Sequence, residues 1–193
     1  MQTIEEIEKR FLEVSGLDLD LSVFPLDVST NSQMKVDKEK SDDYGEVFTP
    51  LWLVDKMILK AGVKKLYESK STLDLCAGYG QFTIRMIRAL VNYDKNFDVL
   101  RWLKENHTFI EIQLESAYKI LYVFGTDINL LIGDALKIKE VRKWDGVSYF
   151  DNYWKPIPNE WLKIEMMNVE ETFVKRFLEK FKEKEKVILT WER

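Results

Sequence analysis

Residues 74–82 read DLCAGYGQF, and they constrain the fold more than any other stretch. A short apolar run, Thr72 to Cys76, leads into Gly78 and Gly80. A helical spacing of Phe82, Met86, Ile87 and Leu90 follows. This is a strand, a tight turn and a helix in immediate succession. Glycines at such a joint let the backbone turn sharply and let a ligand lie against main-chain N–H groups. The pattern departs from the dinucleotide fingerprint G-x-G-x-x-G, because position 83 is Thr and Arg85 follows. A nicotinamide dehydrogenase is therefore disfavoured, whereas a nucleoside-containing ligand is not.

The unit repeats downstream as a pattern, though not as a sequence. Residues 94–107 are charged, with Val99, Leu100, Trp102 and Leu103 predicting an extra helix. His107 to Ile112 reads as a second strand, and Ala117, Ile120, Leu121 and Phe124 as a helix closed by Gly125. Ile128 to Ile132 reads as a third strand. Strands alternating with helices predict an α/β fold with a mostly parallel sheet and helices on both faces. Upstream, Thr3 and Glu6 predict a capping box for a helix carrying Ile4, Ile7, Phe11 and Val14, stopped by Gly16. Residues 28–43 are polar and aperiodic and read as a flexible linker. Thr49-Pro50 predicts a helix start, with Thr as cap and Pro at the first helical position, ahead of a stripe of Leu53, Val54, Met57 and Ile58. Two regions result: an N-terminal helix with its linker over 1–43, and the α/β domain over 44–193. Within the latter, residues 144–161 are aromatic and loop-like, residues 173–181 fit a helix, and residues 187–191 fit a last strand.

Composition narrows the chemistry. One cysteine, Cys76, allows no internal disulfide, and one histidine, His107, excludes a His-rich metal centre. A Ser-His-Asp enzyme would need two further placed partners for His107, and the sequence offers none. No apolar run approaches the roughly 18 residues needed to span a bilayer. The acidic start MQTIEEIEKR lacks the apolar core of a secretory signal, which points to a cytoplasmic protein. The net charge of −4 hides an asymmetry. Residues 1–50 carry 5 Lys and Arg against 12 Asp and Glu, whereas residues 51–193 carry 24 against 21. Only the second part is suited to approach an anionic polymer, and its small excess of positive charge is a weak signal for nucleic acid.

Acids follow the second and third strands. Glu111 stands at the end of the second, where a carboxylate can accept from ribose hydroxyls; Asp134 follows the third, where it can accept from an adenine amino group. Ligands of open parallel sheets bind at the carboxyl ends of the strands, and the glycine turn and both acids fall there.

With these residues in place, the chain resembles S-adenosylmethionine-dependent adenine-specific DNA methyltransferases of restriction–modification systems. YGEVFTP (44–50) resembles the G-x-V-x-T-P element, which places Thr49 and Pro50 near the methionine end of the cofactor. DLCAGYGQF resembles the D-P-x-x-G-x-G-x-F motif, with Leu75 replacing the usual Pro, and implies cofactor contacts at Asp74, Gly78, Gly80 and Phe82. FIEIQLESAYKI (109–120) resembles the segment carrying the ribose-binding acid, here Glu111. INLLIGDAL (128–136) resembles the segment whose Asp, here Asp134, contacts adenine. The resemblance runs from Tyr44 to Leu136 and implies a partial Rossmann-like methyltransferase sheet. Its chemistry needs neither metal nor catalytic histidine, because the sulfonium already makes the methyl group electrophilic, and the target base is flipped onto an aromatic ring.

The family's catalytic element, [N/D/S]-P-P-[Y/F/W], is absent: the four prolines, at 25, 50, 156 and 158, are nowhere adjacent. Residues Asp151 to Trp154 and Lys155 to Asn159 offer polar–aromatic clusters in its expected place. Residues 137–193 are too few for the remaining strands and a target-recognition domain. Three readings follow: the cofactor-binding part of a methyltransferase whose catalytic and DNA-reading parts lie on a longer chain or another subunit; a catalytically inactive binding or regulatory module; or an active enzyme with a divergent loop. An α/β interaction protein with an empty pocket is the alternative outside this class.

Overall fold

The computed structural model describes residues 3–35, 48–69, 71–74 and 76–133. Asp134, residues 36–47 (including the boundary at 43/44 and the first four residues of YGEVFTP), the aromatic stretch 144–161, the helix expected over 173–181 and the strand over 187–191 lie outside the described residues.

The elements in chain order are α1 (Ile4–Ser15), α2 (Leu51–Ala61), α3 (Val63–Glu68), β1 (Thr72–Asp74), α4 (Gln81–Tyr93), α5 (Val99–Glu105), β2 (His107–Glu111), α6 (Leu114–Phe124) and β3 (Asn129–Ile132). The fold is α/β. The three strands among the described residues form an open, all-parallel sheet in the order β1-β2-β3. Asp74 lies opposite Phe109, and Glu111 opposite Ile132, so the carboxyl ends of the three strands are staggered along one edge. Beyond β1, Ala77 N–H donates to the Ile110 carbonyl at 3.1 Å. β2 is buried along its whole length, whereas β3 is half-exposed and Ile132 is open to solvent. Helices α5 and α6 pack directly on β2 and β3.

The N-terminal helix forms as its sequence dictates. Thr3 Oγ1 accepts from Glu6 N–H, Glu6 Oε2 accepts from Thr3 N–H at 2.9 Å, and left-handed Gly16 ends the helix. It packs against the rest of the fold. Ile7 and Phe11 are wholly buried in the same cluster as Ile84, Ile87 and Phe124. Glu8 pairs in two-pronged fashion with Arg88 on α4. Residues 17–35 continue across α2 and α4. The guanidinium of Arg85, fully buried, donates to both oxygens of Asp55 and to the carbonyls of Leu21 and Val23. Asp55 also accepts from Leu26 N–H at 2.7 Å. Ser32 and Met34, within the stretch that reads as linker, are buried.

The start of α2 differs from expectation. Pro50 itself takes the cap position, and no side-chain cap is made by Thr49. The orphan amides of the first turn go instead to Ser32: its carbonyl accepts from Leu51 N–H at 3.2 Å and its Oγ from Trp52 N–H at 3.3 Å. A residue far upstream in sequence does the capping, so no local pattern could announce it.

Candidate functional site

The glycine turn leaves β1 and enters α4. Gly78 and Gly80 have φ of 53° and 85°, the left-handed region that favours glycine. Gly80 N–H donates to Ala77 O at 2.7 Å, which closes the turn, and the Gly80 carbonyl accepts from Ile84 N–H to start the helix. A Cβ on Gly80 would stand 2.3 Å from Phe124 Cε2. The close approach that requires a glycine here is therefore to a core aromatic ring of α6.

Gly78 faces the sheet edge. Its N–H donates to Glu111 Oε2 at 2.8 Å, and Gln113 N–H donates to Glu111 Oε1 at 2.7 Å. The Glu111 carboxylate thus bridges the glycine turn after β1 and the turn after β2. It is buried, and a carboxylate accepts about four hydrogen bonds in all. Beside it, Gly133 N–H donates to the Glu111 carbonyl at 2.8 Å, which brings the segment leaving β3 to the same edge.

Asp74 lies beneath the turn. Its side chain is fully buried, and burial pushes its carboxyl up to about 8, opposed by the Thr83 hydrogen bond and reinforced by the charge of Glu111. Oδ2 lies 3.3 Å from Thr83 Oγ1, and Oδ1 has no partner. Thr83 Oγ1 is 2.8 Å from His107 Nε2, and His107 Nδ1 is 2.7 Å from Thr72 Oγ1. Desolvation drives the His107 imidazole down to about 3, so it is neutral throughout the ordinary pH range. Its ring stacks on Trp102 at 4.7 Å and meets the edge of Phe109 at 4.5 Å.

The segment at residues 48–50 reaches the turn through aromatic contact. The Phe48 ring lies 4.7 Å from that of Tyr79, the residue between the two glycines. Thr49 and Pro50, which follow, are half-buried. Lys119 of α6 holds the other side of Tyr79: its Nζ donates to the Tyr79 hydroxyl at 2.7 Å, sits 4.0 Å over the ring, and pairs with Glu115 at 2.9 Å.

Of the residues singled out by sequence, the fold brings Gly78 and Glu111 into direct contact and sets Asp74 within their electrostatic reach. It brings Phe48, which precedes Thr49 and Pro50, against Tyr79 of the turn. Phe82 is turned into the hydrophobic core. Thr83, His107, Tyr79 and Lys119 escape sequence reading, because hydrogen bonds between side chains on different elements leave no periodic trace. Among the described residues no group of three His, Cys, Asp or Glu could hold a metal ion. No described helix is long and apolar enough to cross a membrane. Comparison with protein-family models, curated proteins and solved structures finds no match to this chain. What fold and site define is an α/β protein whose glycine turn and buried acid meet at the carboxyl edge of a small parallel sheet.

Proposed function

We propose that the chain is an S-adenosylmethionine-binding, methyltransferase-like domain related to the adenine-specific DNA methyltransferases of restriction–modification systems, and that it serves as their cofactor-binding part. The observation that carries this reading is the contact between Gly78 N–H and Glu111 Oε2, at the carboxyl ends of adjacent parallel strands. Nucleoside ligands of open sheets bind at that edge, with an acid of the second strand taking the ribose.

The residues present fit such a group. Glu111 offers a carboxylate to ribose hydroxyls, which compete with the Gly78 amide for it. The left-handed turn at Gly78 presents backbone without a side chain. Asp74, with an unpartnered oxygen, stands where a donor from the methionine end is welcome. The resemblance assigns Thr49 and Pro50, which follow the Phe48 that meets Tyr79, to the methionine end of the cofactor, and Asp134 is the adenine acceptor in this reading. When bound, S-adenosylmethionine supplies an electrophilic methyl group; the chain's own residues bind it, orient it and keep water from it.

The second reading, a catalytically inactive binding or regulatory module, is favoured by the lack of adjacent prolines. In either case contact with DNA falls to another domain or subunit, a protein partner supplying the catalytic loop and the target-recognition surface.

Titration calorimetry with S-adenosylmethionine tests the shared claim: saturable heat supports it, and none leaves a scaffold without a cofactor. Transfer of labelled methyl groups to duplex DNA, by the chain alone and with its partner, separates the readings. Transfer only with the partner supports the cofactor-binding part. Binding without transfer in either case supports the inactive module.

A further inference from the structure

The chain of polar groups beneath the glycine turn has a property that does not depend on any ligand. Four side chains lie in series: Asp74, Thr83, His107 and Thr72, each within hydrogen-bond distance of the next. All four are buried, and Thr72 Oγ1 has one further acceptor, the Asn106 carbonyl at 3.2 Å. A hydroxyl has one proton to donate and a neutral imidazole has one N–H. The series can therefore be satisfied in only two directions.

With the carboxyl protonated on Oδ2, Asp74 donates to Thr83, Thr83 donates to His107 Nε2, His107 Nδ1–H donates to Thr72, and Thr72 donates to Asn106 O. With Asp74 ionised, its oxygen only accepts. Thr83 then donates to Asp74, His107 Nε2–H donates to Thr83, and Thr72 donates to Nδ1. The Asn106 carbonyl is not orphaned by this reversal, since it also accepts Thr72 N–H at 2.6 Å. The proton on Asp74 belongs on Oδ2, because Oδ1 has no partner to receive a donated bond. We propose that Asp74 and His107 form a proton-linked relay, in which ionisation of Asp74 switches His107 from the Nδ1–H to the Nε2–H tautomer without charging it.

The surroundings suit a relay of this kind. The charge of Glu111 on β2 acts on Asp74 and favours its protonated form. On α4, Arg85 and Arg88 are committed to Asp55 and Glu8. From α5 the neighbour of His107 is the uncharged ring of Trp102. The carboxyl titrates around 8 and the imidazole around 3, so over the intervening range the ring stays neutral and only its tautomer is free to change. One proton leaves the protein per Asp74 ionised. Within the ring, the proton lost at Nδ1 is balanced by the one gained at Nε2.

His107 is the only histidine, so its ring nitrogens give a single pair of signals in 15N-histidine-labelled protein. The experiment follows both nitrogen shifts in the ligand-free full chain from pH about 5 to about 10. The expected result is an exchange of pyrrole-type and pyridine-type shifts between Nδ1 and Nε2, with a midpoint at the Asp74 titration. Asp74→Asn, whose amide donates to Thr83 as the protonated acid does, is expected to hold the Nδ1–H form at every pH. A single tautomer throughout in the wild type, an imidazolium signature in this range, or an exchange that survives Asp74→Asn would each overturn the relay. Because no cofactor enters the measurement, its outcome is independent of S-adenosylmethionine binding.

Discussion

Glu111 accepts the Gly78 amide at 2.8 Å across the gap between β1 and β2, and with the bond from Ala77 N–H to the Ile110 carbonyl it ties the glycine turn to the sheet edge. Its second oxygen holds Gln113 N–H, so a single carboxylate sets the path of two turns. The turn is thereby ordered by the chain's own bonds.

Glu111→Ala removes the acceptor for both amides, of which the Gly78 amide is buried and the Gln113 amide half-buried. The expected loss is about 1–3 kcal/mol of stability per unpaired group, and a weakening of S-adenosylmethionine binding by about 1–3 kcal/mol. Urea denaturation and calorimetry check the two effects separately. Glu111→Gln, which keeps one acceptor, should lose less on both counts; equal loss in the two variants would count against the bridging role.

Gly80→Ala places a methyl group 2.3 Å from Phe124 on a backbone of φ 85°. Overpacking costs about 1–3 kcal/mol, and a left-handed residue with a side chain about 1–2 kcal/mol more. Denaturant midpoints are expected to fall accordingly. Phe124→Leu in the same chain should recover part of the overpacking loss and none of the backbone loss.

Arg85→Met strands the Asp55 carboxylate in a site where both side chains have no solvent exposure. Leaving one partner of a buried pair costs about 3–5 kcal/mol, whereas replacing both by apolar groups of similar volume is often neutral. The single variant should therefore be far less stable than Asp55→Leu/Arg85→Met. The carbonyls of Leu21 and Val23 lose their donor in both, and the double variant also removes the acceptor of Leu26 N–H, so amide exchange in residues 20–26 should quicken in each and the double variant should recover only part of the loss. A double variant as unstable as the single one would show that the pair contributes more than mutual neutralisation.

The stability profile against pH follows from two buried groups of opposite sign. An aspartate in the unfolded chain ionises near 3.8, whereas Asp74 in the fold keeps its proton up to about 8. Between those values the folded state binds more protons, so stability falls as pH rises, by at most about 1.4 kcal/mol per pH unit. His107 acts below its ordinary value of 6.5: the unfolded chain takes up a proton there and the folded one does not until about 3, so stability falls as pH drops. Below about 6.5 the two contributions oppose each other, so the decline lies between pH about 6.5 and about 8, and Asp74→Asn is expected to flatten it in denaturation midpoints. An equally steep decline in the variant would mean that the carboxyl is ionised in the fold.

Much of the architecture was legible in local pattern. The capping box at Thr3 and Glu6, the left-handed stop at Gly16, the helices over Gln81–Tyr93 and Leu114–Phe124, and all three strands follow from spacing, capping and glycine placement. These signals are local, because hydrogen bonds and apolar stripes within one element involve residues a few positions apart. The Thr49 cap failed for the complementary reason: the amides it was expected to satisfy found Ser32, which only the folded chain brings near.

The sequence by itself determined the alternation of strand and helix, the glycine turn and the presence of acids after successive strands. Tertiary structure alone decided that Glu111 is held by Gly78, that Gly80 is glycine for the sake of Phe124, and that His107 joins a buried polar chain with Asp74. Periodicity encodes which face of an element is buried. Which groups meet across that face is set by the register of the sheet and the packing of helices upon it, and those are properties of the whole chain.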